Sequence, residues 1–300
     1  IINGSEKTVI AQERAAENKI YCFNIKKNNN KWSWLAEIKS IPDGKCISPK
    51  QINITIASRN SGFGHPIYIQ IPRIKQHIPI FILFRALGVI SDKDICNIIL
   101  LNIDKENKNL LYRLKASIIE ANTYTDKLNC LEYINSFAMY TPINMEKEKG
   151  ARKKMEFTKN VIENDLFPHC KTQQQKIYFL GFMISELIKT SMGLRDIDDR
   201  DSYSNKRIDL TGSLLNNLFR NYFNKLVKDM SKQIIREINN GSWKSKEDYM
   251  NIINHTNIYK IVKSTTIENG MKRALATGDF GIKNTNSNKV GVAQVLNRLT

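Results

Sequence analysis

The chain has 300 residues, 41% of them apolar, and carries a formal net charge of +17 with a pI near 9.6. That length allows two domains and that apolar share allows a sizeable core, which excludes a disordered tail or a low-complexity linker. So large a positive charge repels itself and calls for a polyanionic partner, although part of it reflects a composition rich in Lys, Asn and Ile. Cys22, Cys46, Cys96, Cys130 and Cys170 are scattered without a CxxC pair, so reduced structural thiols in an intracellular compartment are expected. The apolar run from Ile78 to Phe84 is far too short to span a bilayer, which takes about 20 residues.

At the N-terminus, Asn3-Gly4 is a hairpin signal because both turn positions favour positive φ; Ile1-Ile2 and Thr8 to Ile10 are the expected arms. Residues 21–25 and 32–38 read as strands around a polar turn at 26–31. Residues 51–57 alternate Ile with polar side chains, and Ile67, Ile69 and Ile71 continue that period of two. The stretch before Pro79 is therefore β-rich. Pro79 then opens a helix that Gly88 ends, Ser91 or Asp92 caps another at 93–101, and helical patterns fill 109–120 and 126–139. The basic run 147–154 reads as a solvated connector, and residues 161–167 and 173–192 as helical, the latter ending at Gly193.

Residues 193–210 form a dense block of alternating charges. Unpaired buried charge costs more than nearby packing returns, so the block belongs at a surface or a junction. After Gly212, Leu214, Leu215, Leu218, Phe219, Tyr222, Phe223, Leu226, Val227, Met230 and Ile234 recur at three- and four-residue steps. One face of a helix is expected on a core, with Lys225, Lys228, Lys232 and Arg236 keeping the opposite face basic. A less regular helical segment at 243–259 and a Gly- and Asn-rich loop at 278–288 follow.

Asp196, Asp198, Asp199 and Asp201 have the hard oxygens that Mg²⁺ takes, but Arg195, Arg200, Lys206 and Arg207 are interleaved so closely that internal ion pairing is the simpler use. Phosphate-loop, nucleophile-elbow and zinc-helix motifs do not occur, and His65, His77, His169 and His255 stand apart in sequence as structural or surface residues. Gly62 and Gly64 in SGFGHP precede a strand and not a helix, so they read as a turn. The best nucleic-acid candidates are Lys283 and Lys289 in the C-terminal loop, then Gln294, Asn297 and Arg298. Their cations would neutralise phosphates and their amides would bond backbone without demanding a base sequence. The same residues also suit a solvated loop followed by an ordinary polar helix.

DDRDSYSNKRIDLTGSLL, preceded by FLGFMISELIKTSMGLRD, resembles the signature of the second-largest subunit of multisubunit DNA-directed RNA polymerases of the eukaryotic, archaeal and large-DNA-virus type. IINGSEKTVIAQER at 1–14, IPIFILFRALGVISD at 78–92, and ALATGDFG then GVAQVLNRLT within 274–300 match in the same order. The resemblance implies an α+β chain in which a β-rich and helical lobe domain is inserted in a mixed α/β protrusion domain. The implied spans are protrusion at 1–17, lobe at 18–195, protrusion again at 196–268, and the start of the fork region at 269–300.

The function so implied is to form a wall of the DNA cleft and help position the template and the RNA–DNA hybrid, within a nucleotidyltransferase whose Mg²⁺ is held mainly by a triple-Asp motif of the largest subunit. No such motif occurs in this chain, which alone is not expected to polymerise. Gln294, Asn297 and Arg298 match family positions near the hybrid. Lys289 stands where many relatives have Arg, keeping the charge but losing the bidentate fork. Lys206 and Arg207 match a basic pair that suits DNA contact or domain packing. The implied partners are the largest and other polymerase subunits, the DNA template and the hybrid, with no membrane, in a nucleus or, for a virus, the cytoplasm or virion. Ending inside a family motif, the chain is expected to continue. The rival reading is a free-standing basic nucleic-acid-binding or architectural protein with a polymerase-derived fold.

Overall fold

The computed structural model describes residues 1–25, 30–43, 48–101, 108–141, 146–240, 253–281 and 291–295. The chain divides into two compact units, Ala16–Asn205 and a second made of Ile1–Ala15 with Lys206–Thr300.

The Ala16–Asn205 unit is built on an antiparallel meander of β3 (Tyr21–Asn24), β4 (Trp32–Ser40), β5 (Lys50–Ala57), β6 (Ile67–Gln70) and β7 (Ile78–Pro79), in that spatial order. The period of two seen in the sequence sets its register. Ile38 faces Ile52 and Ala36 faces Ile54, all four fully buried, and Ile54 pairs on its other side with Ile69. Such β-branched cross-strand pairs fit a pleated surface. The helices α1 (Ile80–Ala86), α2 (Asp92–Leu100), α3 (Lys108–Ala121), α4 (Lys127–Ser136), α5 (Lys147–Asn160) and α6 (Gln173–Ser191) complete the unit, with α6 on β3, β4 and β5 and α3 on β6 and β7.

Local chemistry fixes the helix ends. The Ser91 Oγ accepts from the Asp94 N–H, so Ser91 and not Asp92 caps α2. Thr172 and Gln175 form a reciprocal capping box at α6. At Gly181 the α2 and α6 backbones come close: a Cβ there would lie 2.8 Å from the Ile98 carbonyl oxygen. The basic run 147–154 is a correction, since it opens α5 and is not a connector. Its Glu, Lys, Ala and Arg residues are good helix formers, and only Gly150 and Thr158 of α5 are buried, so no apolar stripe announced it. The expected helix at 161–167 is a π turn over Val161–Asp165, followed by extended Leu166 and by Phe167 at φ 46°.

In the other unit, β1 (Lys7–Val9) pairs antiparallel with β9 (Ala293–Val295), and β2 (Gln12–Ala15) with β8 (Lys206–Asp209). The helices are α7 (Thr211–Asn239), α8 (Ile258–Ile261) and α9 (Thr265–Thr277). The Asn3-Gly4 turn forms, with φ of 50° and 80° and a bridge between Ile2 and Ser5, but its expected arms do not pair. Residues 7–9 take their partner from the far end of the chain instead. The amphipathic helix expected after Gly212 is α7, which runs 29 residues, about 43 Å, yet only Leu214 and Leu218 in it are buried. Phe219, Phe223 and Val227 remain 45%, 47% and 48% exposed. Periodicity identified the apolar face; it could not report how little of this unit covers it.

Candidate nucleic-acid interface

Lys206 and Arg207 open β8. Across the ladder Ala15 faces Lys206, Arg14 faces Arg207, and Gln12 faces Asp209. Two opposed arginines would repel, and the ladder offsets this with diagonal pairs. The Arg14 Nε lies 2.9 Å from Asp209 Oδ2, and the Lys206 Nζ lies 3.0 Å from Glu13 Oε1. Lys206 is thus held along the ladder, which is a packing role, while Arg207 is exposed and donates to the Lys206 carbonyl oxygen at 2.8 Å. The sequence reading passed over Arg14 and Glu13. Their alternation opposite KRID was the available signal, but it identifies partners only once the pairing is known.

Gln294 lies on β9 opposite Thr8, so this segment begins as a strand and not as a polar helix. Its Nε2 donates to the Gly291 carbonyl oxygen at 3.3 Å. The strand is seated by glycine. Gly278 ends α9 at φ +74°, and a Cβ on it would come within 2.6 Å of the Ala293 oxygen and 2.8 Å of the Gly291 Cα. That close approach lets the Val292 N–H donate to the Gly278 oxygen at 2.8 Å while the Ile10 N–H donates to the Val292 oxygen at 2.9 Å. Lys7 places its ammonium 3.1 Å from the Ala276 oxygen, where the carbonyl end of α9 favours a cation. Leu214, Leu218, Ala274, Phe280, Val292 and Ala293 form the apolar cluster beneath.

Segments 1–14, 274–281 and 291–295, quoted separately from the sequence, therefore meet in one place. Gln294 is part of that assembly, and Lys206 and Arg207 sit on the adjoining ladder, linked to it through Ile10 and Ala11. Lys283, Lys289, Asn297 and Arg298 lie outside the described residues, as does Cys46.

The acidic block before β8 is used structurally. Asp198 occupies the open edge of β3: its Oδ2 accepts from the Cys22 N–H at 2.8 Å and its N–H donates to the Cys22 oxygen at 3.1 Å. Arg195 binds Asp198 at 2.9 Å and Glu186 at 3.1 Å; Arg200 reaches Glu37 at 3.0 Å and lies 4.0 Å over the Phe23 ring. Internal pairing accounts for Arg195–Asp198 alone among these contacts, and the other carboxylates come from helix α6 and strand β4. Among the described residues no group of three or more His, Cys, Asp or Glu could hold a metal ion. No helix among them is long and apolar enough to cross a membrane.

Cys22, Cys96 and Cys130 are buried, and His65, His77 and His169 are partly buried in local contacts. Burial pushes the thiols of Cys22, Cys96 and Cys130 up, that of Cys96 to about 11. His65 Nδ1 lies 2.9 Å from the Ala57 oxygen, His77 packs on Trp32, and His169 Nδ1 lies 2.6 Å from Ser40 Oγ. His255 is exposed. SGFGHP is a turn: the Asn60 Oδ1 accepts from the N–H groups of Gly62 and Gly64 at 2.9 and 3.0 Å.

The Ala16–Asn205 unit is a five-stranded meander packed with helices, and the other unit carries basic and amide groups on its two ladders. The family model described as RNA polymerase Rpb2, domain 2, matches residues 16–209, and the chain belongs to that family. It is similar to DNA-directed RNA polymerase II subunit 2 of Arabidopsis thaliana, 34% identical over all of this chain and 24% of the relative. RPB2 of Encephalitozoon cuniculi is 36% identical over 99% of this chain and 24% of its own length. DNA-directed RNA polymerase subunit 2 of Acanthamoeba polyphaga mimivirus is 32% identical over all of this chain and 25% of its own. The chain spans about a quarter of the length of these curated relatives. The family read from the quoted motifs is the one that matches.

Proposed function

We propose that this chain is the part of a DNA-directed RNA polymerase second-largest subunit that forms a wall of the DNA cleft and helps position the template and the RNA–DNA hybrid. The observation that carries this reading is the gathering of segments 1–14, 274–281 and 291–295 into one assembly around Gly278 and Gly291, in a chain similar over its whole length to proteins named as that subunit. The unit Ala16–Asn205, flanked in sequence by both segments of the other, supports a lobe inserted in a protrusion, with the fork beginning near residue 269. In this reading Gln294, Asn297, Arg298, Lys283 and Lys289 lie nearest the hybrid. Arg207 is a backbone contact, and Lys206 holds the ladder through Glu13. Nucleotidyl transfer belongs to the complete enzyme, where Mg²⁺ is held mainly by the largest subunit; this chain supplies placement. Other polymerase subunits are its partners, in a nucleus or, for a virus, in cytoplasm or virion.

The test is affinity purification of the full-length gene product from its source, with identification of co-purifying chains and an assay of templated RNA synthesis. A larger subunit bearing a triple-Asp motif, together with Mg²⁺-dependent synthesis, is expected. Recovery of the protein alone on nucleic acid would put the free-standing architectural protein in its place.

A further inference from the structure

Within the Ala16–Asn205 unit two cavities, of about 240 and 430 Å³, share His65 and Arg113 in their walls, and among the described residues no Asp or Glu lines either. Arg195 and Arg200 of the same unit, by contrast, are each met by a carboxylate. The turn between β5 and β6 offers Phe63, and Gly64 in it adopts φ +127°, a conformation that other residues rarely take. One turn of α3 offers Tyr112, Arg113 and Lys115. The Lys115 ammonium lies 5.7 Å from the centroid of the Phe63 ring and 5.7 Å from that of Tyr112. Neither ring is spent on the core, since Phe63 is 50% and Tyr112 68% exposed. Arg113 is also exposed and makes no ion pair among the described residues.

Two water-facing aromatic rings share one ammonium, beside a second cation and with no carboxylate among the described residues of the walls. We infer that this groove binds unpaired nucleotides of single-stranded nucleic acid. A base stacks on Phe63 or Tyr112, and the flanking phosphates sit on Lys115 and Arg113. Ring faces take bases that a duplex keeps stacked inside, which favours a single strand over a double helix. An acidic peptide would satisfy the cations but has nothing to place on the rings. The inference rests on the nucleic-acid reading above, but uses none of the residues offered there.

The test uses the full-length gene product with whatever co-purifies, photo-crosslinked to a short single-stranded oligodeoxynucleotide carrying iodouracil, with the adducts mapped by mass spectrometry. Adducts on Phe63 or Tyr112 are expected. The double variant Phe63→Ala/Tyr112→Ala should lose them and bind the single strand about tenfold or more weakly, with duplex affinity unchanged. Arg113→Gln should lower the salt slope of single-strand binding by roughly 0.7. Both rings are exposed, so the variants should fold; Phe63→Leu/Tyr112→Leu, which keeps apolar bulk without stacking, must show the same loss. Adducts mapping only elsewhere, or unchanged single-strand affinity in both double variants, would overturn the inference. So would a polyglutamate peptide that displaces the oligonucleotide and itself binds more weakly to the variants, since the groove would then be a protein-docking site. Adducts at Phe63 in a preparation without a larger polymerase subunit would remove the transcription reading and leave this site standing; a complete polymerase without them would do the reverse.

Discussion

Arg85 offers the sharpest test of how the Ala16–Asn205 unit is held. It is 3% exposed on a wholly buried helix, and its guanidinium donates to the Ala121 and Tyr124 carbonyl oxygens, each at 2.6 Å, and to Asp92 Oδ1 at 2.6 Å. Arg85→Met keeps the stem and removes all three bonds. The Ala121 oxygen still accepts from the Tyr124 N–H at 3.0 Å, so what it loses is a charged donor, at about 1.5–3 kcal/mol. The Tyr124 oxygen likewise keeps a weak donor, Cys130 Sγ at 3.5 Å, and the Asp92 side chain, 38% exposed, falls back on water. The sum is about 3 kcal/mol, or a melting midpoint lowered by roughly 6–12 °C for a domain of this size. Arg85→Lys, which retains the charge but not the fork, should fall between. Thermal and urea unfolding followed by circular dichroism would measure both. An Arg85→Met midpoint within about 2 °C of the parent would show that the three bonds contribute little and refute the reasoning.

Gly181→Ala should cost about 1–3 kcal/mol in the same assay, because its Cβ would meet the Ile98 backbone oxygen at 2.8 Å and force α2 away from α6; a neutral result would mean that the two helices are looser than described. Gly278→Ala adds a side chain at φ +74° against Ala293 and Gly291, so the amides of Ile10 and Val292 should exchange with deuterium about tenfold faster or more, and unchanged protection would count against the seating of β9. Burial holds His77 and His169 below the ordinary histidine range, with Lys31 adding to it at His77; at His169 Asp43 opposes burial while Lys176 reinforces it. Between the lowered folded value and the unfolded value near 6.5 the unfolded chain binds more protons. Stability is therefore complete above that pH and falls as the solution is acidified through the folded values. The double variant His77→Phe/His169→Gln should flatten the slope of unfolding free energy between pH 7 and 5, and an unaltered slope would exclude both histidines as its source.

What could be read from the sequence follows from the range of the forces involved. The meander was legible because Ile52, Ile54 and Ile56 alternate with polar residues and period-two burial is a local fact. Helices α1, α2 and α6 announced themselves through Pro79, Ser91 and Gly193. Lys147 to Lys154 hid a helix because α5 buries almost nothing and has no stripe to detect. The N-terminal hairpin was misassigned for the opposite reason: Asn3-Gly4 dictates a turn, but partner choice is decided by Gly278 and Gly291 at the far end of the chain. Likewise, alternating charge assigned 193–210 to a surface or a junction, but could not say that Asp198 would plug the edge of β3 or that Arg200 would choose Glu37. The aromatic pair Phe63 and Tyr112 gave no signal, since nothing local relates a turn to a helix that follows it much later.

The same reasoning explains why a charged block stands at this junction. The N-terminal segment can pair with β8 and β9 only if the long intervening chain returns to where it left, and closing a loop of that length on an unstructured chain costs roughly 4–5 kcal/mol in entropy. The inserted unit meets that cost as it folds. The Ala16 N–H donates to the Asn205 oxygen at 2.9 Å, the Tyr21 hydroxyl reaches both the Ala16 and Asn205 oxygens, and Lys19 binds Asn205 Oδ1. With its ends fastened side by side, the next residues out, Ala15 and Lys206, are already in register, and Glu13 and Asp209 select their cations from Lys206 and Arg14. An apolar clasp would have to be buried on both sides, whereas ion pairs and backbone bonds tolerate water. Arg14, Lys206, Arg195 and Arg200 are each answered by a carboxylate, so these pairs serve the fold, whereas Arg113 makes no ion pair among the described residues.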